Sequence, residues 1–343
     1  MPTNSRRRLS AQLLQLDTPY DSQSLFSLIA EQPWAMWLDS CESTHIDSRY
    51  DIMVWQPSIT LTTLGDTTSV KHMRDNSQYQ SNEDPLLLLK QQQKACFEDV
   101  DIAPCALPFK GGAVGYFAYD LGKRFEVIKQ QTHKDIAIPE MAIGIYQHAV
   151  ICDRKLQQYW LLCFDEHRAS FIDFFNHALT KKSSQATVAN DLNLETSTGA
   201  TKNFKLTTPW QSNMPQAQYR EKFQQVHDYL LSGDCYQINL AQRFSAQYSG
   251  CEYQAYCALR AENKAPFSAF LRFDDSAILS ISPERFLQKV GNKIQSKPIK
   301  GTRPRSQDPV TDQANANELR QASKDRAENL MIVDLLRNDI SRV

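Results

Sequence analysis

Residues 268–297, SAFLRFDDSAILSISPERFLQKVGNKIQSK, contain four predicted strands in close succession. The runs 268–273 and 277–282 are short and apolar, and Gly291-Asn292 between the runs 285–290 and 293–297 is typical of a two-residue hairpin turn. No helical pattern separates these strands, whereas a long helix is predicted from 317 to 337. Because strands and helices do not alternate regularly, the sequence predicts an α+β fold rather than a doubly wound sheet.

The rest of the chain divides by composition into two parts joined by a polar segment. Residues 1–180 are rich in predicted strands, namely 48–55, 58–64, 141–152 and 158–164. Residues 181–213 have few apolar side chains and are predicted to form a linker or a surface excursion. A helix that ends at Gly233 and a strand over 235–244 are predicted next. We therefore expect an N-terminal domain over 1–180 and a second domain over 214–343.

The overall composition excludes several classes of protein. The 343 residues include 41% apolar and 22% charged side chains, as in folded globular proteins. Lys and Arg number 38 and Asp and Glu 39, so the net charge of −1 argues against a general nucleic-acid binder. No run approaches the roughly 20 apolar residues of a membrane helix, and a cytoplasmic location is expected. The eight cysteines form no Cys-x-x-Cys pair, so reduced thiols are expected and zinc is not.

A basic segment between residues 285 and 305 contains the first candidate for chemistry. Its seven cations are accompanied by no acidic residue, and the simplest interpretation is a solvated hairpin face. However, Lys300 is followed by Gly301, which permits close backbone approach to a ligand, and by Thr302, which offers a hydroxyl group. Burial and neighbouring cations would lower the pKa of a lysine and make it nucleophilic. Lys300 is therefore a candidate nucleophile.

Two carboxylates are further candidates. Glu284 follows an apolar strand directly, where burial would suit it to donate a proton, although a pair with Arg285 or a surface position is the simpler alternative. Glu328 stands four residues after Lys324, which is also the spacing of an ordinary surface pair on a helix. The apolar run 330–336 predicts that this part of the helix is buried, and a carboxylate beside a buried run needs a partner, for which Mg²⁺ is one candidate.

Three motifs occur in a fixed order: SPERF at 282–286, PIKGT at 298–302 and DRAENLMIVDLLRND at 325–339. Together they resemble the chorismate-binding family of anthranilate and aminodeoxychorismate synthases. The resemblance extends from about Pro33 to the last residue. It implies an anthranilate-synthase-like fold of two domains, with β-sheets packed face to face and helices outside, and with an incomplete C-terminal part.

Lys300 separates two branches of that family, because anthranilate synthases are expected to have alanine at this position. The resemblance therefore implies a transferase that forms 4-amino-4-deoxychorismate for 4-aminobenzoate and folate biosynthesis. In the implied mechanism, Lys300 attacks C2 of chorismate as a covalent nucleophile while Glu284 protonates the departing 4-hydroxyl group. Ammonia, supplied from glutamine by a partner amidotransferase, then adds at C4 and expels the lysine.

The resemblance also implies binding residues. Gly301 and Thr302 match a pair that contacts chorismate, and Glu328 matches one of two glutamates that bind Mg²⁺, which is the implied cofactor. A tryptophan site is implied as well, although Asp47 stands where a close relative would have tyrosine. The residues that match this site are Ser40, Asp47, Ser48, Arg49, Tyr50, Pro266, Phe267 and Ser268.

Two alternatives to the full synthase activity stay open on the sequence alone. One is an anthranilate synthase, which would release pyruvate. The other is a catalytically incompetent remnant that binds only a partner or tryptophan. The second alternative arises because family members are expected to continue through a large C-terminal portion that carries the other metal-binding glutamate and further substrate-binding residues.

Overall fold

The computed structural model describes residues 6–41, 45–128, 135–192 and 203–342. Its strands are β1 (Arg7–Leu13), β2 (Met36–Asp39), β3 (Tyr50–Val54), β4 (Ile59–Leu64), β5 (Thr67–His72), β6 (Gln78–Ser81), β7 (Val100–Ile102), β8 (Gly112–Phe117), β9 (Met141–Tyr146), β10 (Ala149–Asp153), β11 (Gln158–Phe164), β12 (Lys205–Leu206), β13 (Gln211–Ser212), β14 (Phe244–Ser245), β15 (Tyr248–Ser249), β16 (Ser268–Arg272), β17 (Ala277–Ser280), β18 (Gln288–Val290) and β19 (Lys293–Gln295). The α-helices are α1 (Ser22–Ser27), α2 (Pro85–Phe97), α3 (Arg168–Leu192), α4 (Gln216–Ser232), α5 (Glu252–Asn263), α6 (Pro309–Gln321) and α7 (Ser323–Ile340). Two 3₁₀ helices cover Tyr119–Arg124 and Asp165–His167.

The largest sheet has eight strands in the order β17-β16-β2-β3-β10-β11-β1-β7. Two of the predicted strands, 268–273 and 277–282, are confirmed as β16 and β17 and form one edge of this sheet. Strand β16 runs antiparallel to β2, with Ser268 opposite Asp39. Strands from the last third of the sequence therefore extend a sheet that is otherwise built by the first half.

A second sheet has five strands in the order β6-β5-β4-β9-β8. One apolar core contains buried side chains of both large sheets, among them Leu9 and Leu162 of the first and Val114 and Tyr146 of the second. Strand β8 packs closely against β9 at Gly115, because a Cβ atom at this position would lie 2.0 Å from the Ala142 carbonyl oxygen. The mixed architecture confirms the predicted α+β class.

The helices agree with the sequence in one place and correct it in another. Helix α4 ends at Gly233, whose φ of 79° lies in the left-handed region, as predicted. The single helix predicted over 317–337 is wrong, because α6 ends before Ala322, whose ψ of 107° is not helical, and α7 begins after it. Helix α6 starts at Pro309 after Asp308, whose carboxylate accepts a hydrogen bond from the Thr311 N–H at 3.0 Å.

Two further expectations are corrected. The strand predicted over 235–244 is wrong, because residues 235–243 have no regular structure and only Phe244 and Ser245 pair, with β13. The predicted burial of 330–336 is also wrong. Leu330 is 71% exposed and Val333 43% exposed, since none of the described residues covers this side of α7.

The chain forms two compact units. One consists of Met1–Ser183 and Leu259–Val343, and the other of Ser184–Ala258. The predicted domains over 1–180 and 214–343 stay a prediction, and residues 193–202 of the predicted linker lie outside the described residues. Among the described residues, no helix is long and apolar enough to cross a membrane.

Candidate active site

The SPERF motif follows β17 and turns the chain away from the edge of the sheet. The Ser282 hydroxyl donates a hydrogen bond to the Glu284 carbonyl oxygen at 3.0 Å and accepts one from the Glu284 N–H at 3.2 Å. This turn places Glu284 beyond the end of the strand, where its side chain is exposed and not buried as expected. The Glu284 carboxylate nevertheless has a defined partner, because its Oε1 atom accepts the Ile299 N–H at 2.9 Å.

That hydrogen bond connects the SPERF motif to the PIKGT motif at the residue before Lys300. Lys300 is half-buried. Within the described residues, its ammonium group has no hydrogen bond and no ion pair. The backbone contact therefore brings the candidate proton donor to the segment of the candidate nucleophile, while the lysine side chain has no polar partner in this part of the protein.

Gly301 seats the same segment against α7. Its φ is 60°, in the region that favours glycine, and a Cβ atom at this position would lie 2.7 Å from Asp325 Cγ and 2.9 Å from Asp325 Cβ. A side chain at 301 would therefore push the segment off the helix. Since Asp325 precedes Glu328 by three residues, about one helical turn, the PIKGT motif lies at the part of α7 that carries the candidate metal ligand.

Arg303 strengthens this contact. Its guanidinium donates from Nε to Glu318 Oε1 at 2.8 Å and from NH2 to Asp325 Oδ2 at 3.1 Å. These ion pairs raise the pKa of the Arg303 guanidinium above its ordinary value, with the hydrogen bond to Glu318 as the largest cause. The same side chain therefore connects α6, α7 and the end of the PIKGT motif.

The prediction that Glu328 binds Mg²⁺ stays a prediction. Glu328 is half-buried on α7 and presents one carboxylate. Among the described residues there is no group of three or more His, Cys, Asp or Glu side chains that could hold a metal ion. One carboxylate is nevertheless compatible with Mg²⁺, which commonly takes one or two protein carboxylates and completes its shell with water and substrate oxygens.

The residues predicted for tryptophan binding occupy two neighbouring environments. The Ser40 hydroxyl donates to Asp51 Oδ1 at 2.7 Å, and the Arg49 guanidinium pairs with Asp153 at 2.8 Å and lies 4.7 Å from the Tyr50 ring centre. The Ser268 hydroxyl donates to the Ala265 carbonyl oxygen at 2.9 Å. Among the described residues the Ser48 hydroxyl is buried without a hydrogen-bond partner. Pro266 and Phe267 directly precede β16.

The structure adds residues that the sequence analysis treated only as part of a basic run. Arg285 lies with its guanidinium 5.6 Å from the Phe267 ring centre, and both Arg285 and Lys297 form ion pairs with Asp47. Their positions in the sequence gave one indication, because Arg285 is next to Glu284 and Lys297 is three residues before Lys300. Asp47 was predicted only as part of the tryptophan site, and the sequence held no signal that it pairs with two cations more than two hundred positions away in the chain.

Two cavities among the described residues lie away from Lys300. One, of about 710 Å³, is lined by Leu64, Tyr119, Arg124, Ile136 and Glu140 among others, at the end of the five-stranded sheet. Another, of about 530 Å³, runs along α7 and is lined by Arg326, Leu330 and Val333. Neither is lined by Lys300, Glu284 or Glu328. The candidate site is defined here by its hydrogen bonds and by the fit of Gly301.

Comparison with known proteins assigns the chain to a class. The sequence model of the chorismate binding enzymes matches residues 35–343, which include all three motifs. The chain therefore belongs to the chorismate binding enzyme family. A solved anthranilate synthase component I from Streptococcus pneumoniae TIGR4 has the same fold, with a TM-score of 0.65 and 24% identity, over 88% of this chain and 63% of that one.

Within the family, the chain is similar to particular synthases. It is 46% identical to aminodeoxychorismate synthase component 1 of Escherichia coli K12, over 93% of this chain and 65% of the relative. It is 45% identical to the protein of the same name from Salmonella typhimurium LT2, over 95% of this chain and 67% of that relative. Anthranilate synthase component 1 of Lactococcus lactis is 31% identical over 89% of this chain and 64% of the relative. The chain thus spans about two thirds of the length of these relatives.

Proposed function

We propose that the protein performs the amination step of aminodeoxychorismate synthesis, in which chorismate and ammonia give 4-amino-4-deoxychorismate and water. The observation that supports this proposal most directly is the hydrogen bond from the Ile299 N–H to Glu284, next to a half-buried Lys300. It associates a carboxyl group with an amine that has no polar partner among the described residues. The similarity to relatives named aminodeoxychorismate synthase component 1 supports the same reaction.

The proposed chemistry assigns one role to each group. The neutral Lys300 amine forms a bond to C2 of chorismate while the ring double bond shifts and the 4-hydroxyl group leaves as water, with its proton supplied by Glu284. Ammonia then adds at C4, the double bond shifts back, and the lysine amine departs from C2. The proton released by ammonia balances the one donated in the first step. Gly301 and Thr302 would contact chorismate through backbone N–H groups and the Thr302 hydroxyl.

Mg²⁺ is the proposed cofactor, and metal use is typical of the family. Glu328 would hold the ion, with water and substrate oxygens in the remaining positions. When bound, the ion would neutralise a substrate carboxylate. The role of this chain's own residues is to present the Glu328 carboxylate from a rigid helix, one turn beyond the Asp325 contact with Gly301.

Partners and ligands beyond chorismate are also part of the proposal. The relatives carry the name component 1, which implies a second component in those proteins. We propose that this component is a glutamine amidotransferase that supplies ammonia. Tryptophan remains the proposed ligand of the site around Ser48, whose hydroxyl is buried without a partner among the described residues. The cytoplasmic location stays a prediction.

The covalent step has a direct test. The chain is incubated with chorismate and Mg²⁺ without ammonia, and the masses of the intact protein and of its peptides are measured by mass spectrometry. We expect a mass increase of one chorismate less one water, located on Lys300. Lys293→Ala, a change at an exposed lysine of the β18–β19 hairpin, is the matched control and should form the adduct, whereas Lys300→Ala should not. An adduct in the Lys300→Ala protein, or none in the wild type, would contradict the covalent mechanism.

A second assay separates the competing activities. With chorismate, Mg²⁺ and excess ammonium salt, free ammonia replaces the partner, and the products are identified by mass spectrometry. We expect 4-amino-4-deoxychorismate without pyruvate. Release of pyruvate with anthranilate would instead identify an anthranilate synthase. If neither 4-amino-4-deoxychorismate nor anthranilate is formed, the result would support a remnant that only binds a partner or tryptophan.

A further inference from the structure

Asp47 lies between two cations that come from the last third of the chain. The Lys297 ammonium donates to Asp47 Oδ2 at 2.9 Å and to Oδ1 at 3.2 Å, and Arg285 NH1 lies 3.5 Å from Oδ1. The side chains of Asp47 and Arg285 are only 18% and 14% exposed. One carboxylate from the loop before β3 therefore holds two basic side chains of a different region together.

Both cations are directly connected to the candidate catalytic residues. Arg285 follows Glu284 in the chain, and Lys297 stands three residues before Lys300. The Glu284 carboxylate in turn accepts the Ile299 N–H. The contacts therefore close a ring that runs from Asp47 through Arg285 and Glu284 to Ile299, and back through Lys297 to Asp47.

Electrostatics explains why this ring depends on Asp47. Without the carboxylate, the Arg285 guanidinium and the Lys297 ammonium would be like charges without their common counter-ion, and their repulsion would be only partly screened because the Arg285 side chain is 14% exposed and that of Lys297 47%. Arg285 has one other side-chain hydrogen bond, from NH2 to Gln295 Oε1 at 2.7 Å, and among the described residues its Nε is buried without a partner. The Ser296 hydroxyl also donates to the Phe286 carbonyl oxygen at 2.9 Å, so loss of Asp47 would not separate the two segments but would loosen the Glu284–Ile299 contact between them.

His45 also lies at the Asp47 carboxylate, and Phe267 lies at its partner Arg285. His45 Nδ1 lies 4.0 Å from Oδ2 and accepts the Asp47 N–H at 3.2 Å, and the Phe267 ring covers Arg285. The pKa of Asp47 is lowered from its ordinary value, mainly by the hydrogen bond from Lys297. The carboxylate is consequently ionised, as the ring requires.

We propose that Asp47 is a positioning residue of the candidate active site, which fixes the placement of Glu284 relative to Lys300 through Arg285 and Lys297. The expected effect on catalysis rests on the proposed function. The expected effect of Asp47 on the Glu284–Ile299 hydrogen bond is independent of that function. An isolated exposed ion pair would stabilise the fold very little. The distinguishing feature of Asp47 is that its removal acts on a backbone hydrogen bond elsewhere, at Ile299.

Hydrogen exchange of the full chain, followed by mass spectrometry of the peptides that cover 296–303, tests the structural content. In Asp47→Asn we expect the exchange rate of the Ile299 amide to rise about fivefold, the change that corresponds to the upper range of one such ion pair. Lys297→Gln should have a similar effect, and Asp47→Glu, which keeps the charge, should restore slow exchange. Asp66→Asn, at another loop carboxylate that pairs with an arginine, is the matched control and should leave this peptide unchanged.

Activity with chorismate and ammonium salt gives the second readout. We expect Asp47→Asn to lower kcat with little change in KM, because the acid and the nucleophile move relative to each other while the substrate contacts at Gly301 and Thr302 persist. Asp47→Glu should recover kcat. Unchanged exchange at Ile299 in both Asp47→Asn and Lys297→Gln would overturn the proposal. Faster exchange together with an inactive wild type would support the positioning role and count against the proposed function instead.

Discussion

Replacement of Gly301 by alanine is the most direct perturbation of the contact between the PIKGT motif and α7. At the Gly301 φ of 60°, a non-glycine residue is disfavoured by about 1–2 kcal/mol. The new Cβ would also lie 2.7 Å from Asp325 Cγ and 2.9 Å from Asp325 Cβ. Because Asp325 Cβ is attached directly to the helix backbone, it cannot move aside alone, and such overpacking costs about 1–3 kcal/mol. We therefore expect a loss of about 2–5 kcal/mol in the free energy of unfolding.

Gly291 provides a control that isolates the backbone contribution. Its φ of 57° is nearly the same, and no heavy atom lies within 4 Å of a Cβ at that position. Urea unfolding of both variants, followed by far-UV circular dichroism, should show Gly301→Ala to be less stable than Gly291→Ala by about 1–3 kcal/mol. In an Asp325→Gly background, which removes both the Cβ and the Cγ atom of residue 325, this difference should largely disappear. A Gly301→Ala protein as stable as Gly291→Ala would refute the reasoning that the Lys300 segment is seated on α7.

Two further predictions concern buried ionisable side chains. Burial lowers the pKa of His148 to about 4 from 6.5, so the neutral ring stabilises the fold above pH 6.5 and about 3 kcal/mol of this stabilisation should be lost as the pH falls to 4. Urea unfolding at several pH values should show this loss in the wild type and not in His148→Phe. If the free energy of unfolding changed equally with pH in both proteins, the prediction would be contradicted. Arg260 donates to the buried Asp39 at 2.6 Å, so Arg260→Ala should cost about 3–5 kcal/mol, because it leaves a carboxylate buried with less compensation. Arg305→Ala, at an exposed pair with Asp312, should leave the free energy of unfolding nearly unchanged, and a similar loss in both variants would argue against a role of burial.

The sequence predicted local features of the fold well and distant contacts poorly. Strands β3, β4, β16 and β17 and the end of α4 at Gly233 follow from β-propensity and turn residues that act within a few positions. The pair Asp308-Pro309 is typical of a helix N-terminus and indicates that α6 starts at 309. The predicted helix, which started at 317, did not take this pair into account. The break at Ala322 had no comparable local signal. Arg303 bridges Glu318 and Asp325 on either side of it, and such a contact is not visible in periodicity.

The candidate site shows the same division. The motifs around Glu284, Lys300 and Glu328 were recognisable because each combines unusual residue types within a few positions. The ion pair between Asp47 and Lys297 depends instead on the fold, in which β16 pairs with both β2 and β17. The SPERF motif, which follows β17, thereby lies beside the loop before β3. The burial predicted for 330–336 failed for a related reason. Periodicity identifies an apolar face of a helix but does not identify what covers it.

The segment from Lys297 to Arg303 has no regular secondary structure, so its conformation is set by contacts at individual residues. Lys297 pairs with Asp47, the Ile299 N–H donates to Glu284, Gly301 fits against Asp325, and Arg303 pairs with Asp325. The anchored positions are therefore every second residue, and Lys300 lies between two of them. Its neighbours therefore hold the backbone at Lys300, and within the described residues the lysine side chain has no hydrogen bond or ion pair that a substrate would have to displace. The backbone is thus ordered in advance, whereas the side chain would still lose about 2 kcal/mol of rotamer freedom on forming a bond with a ligand.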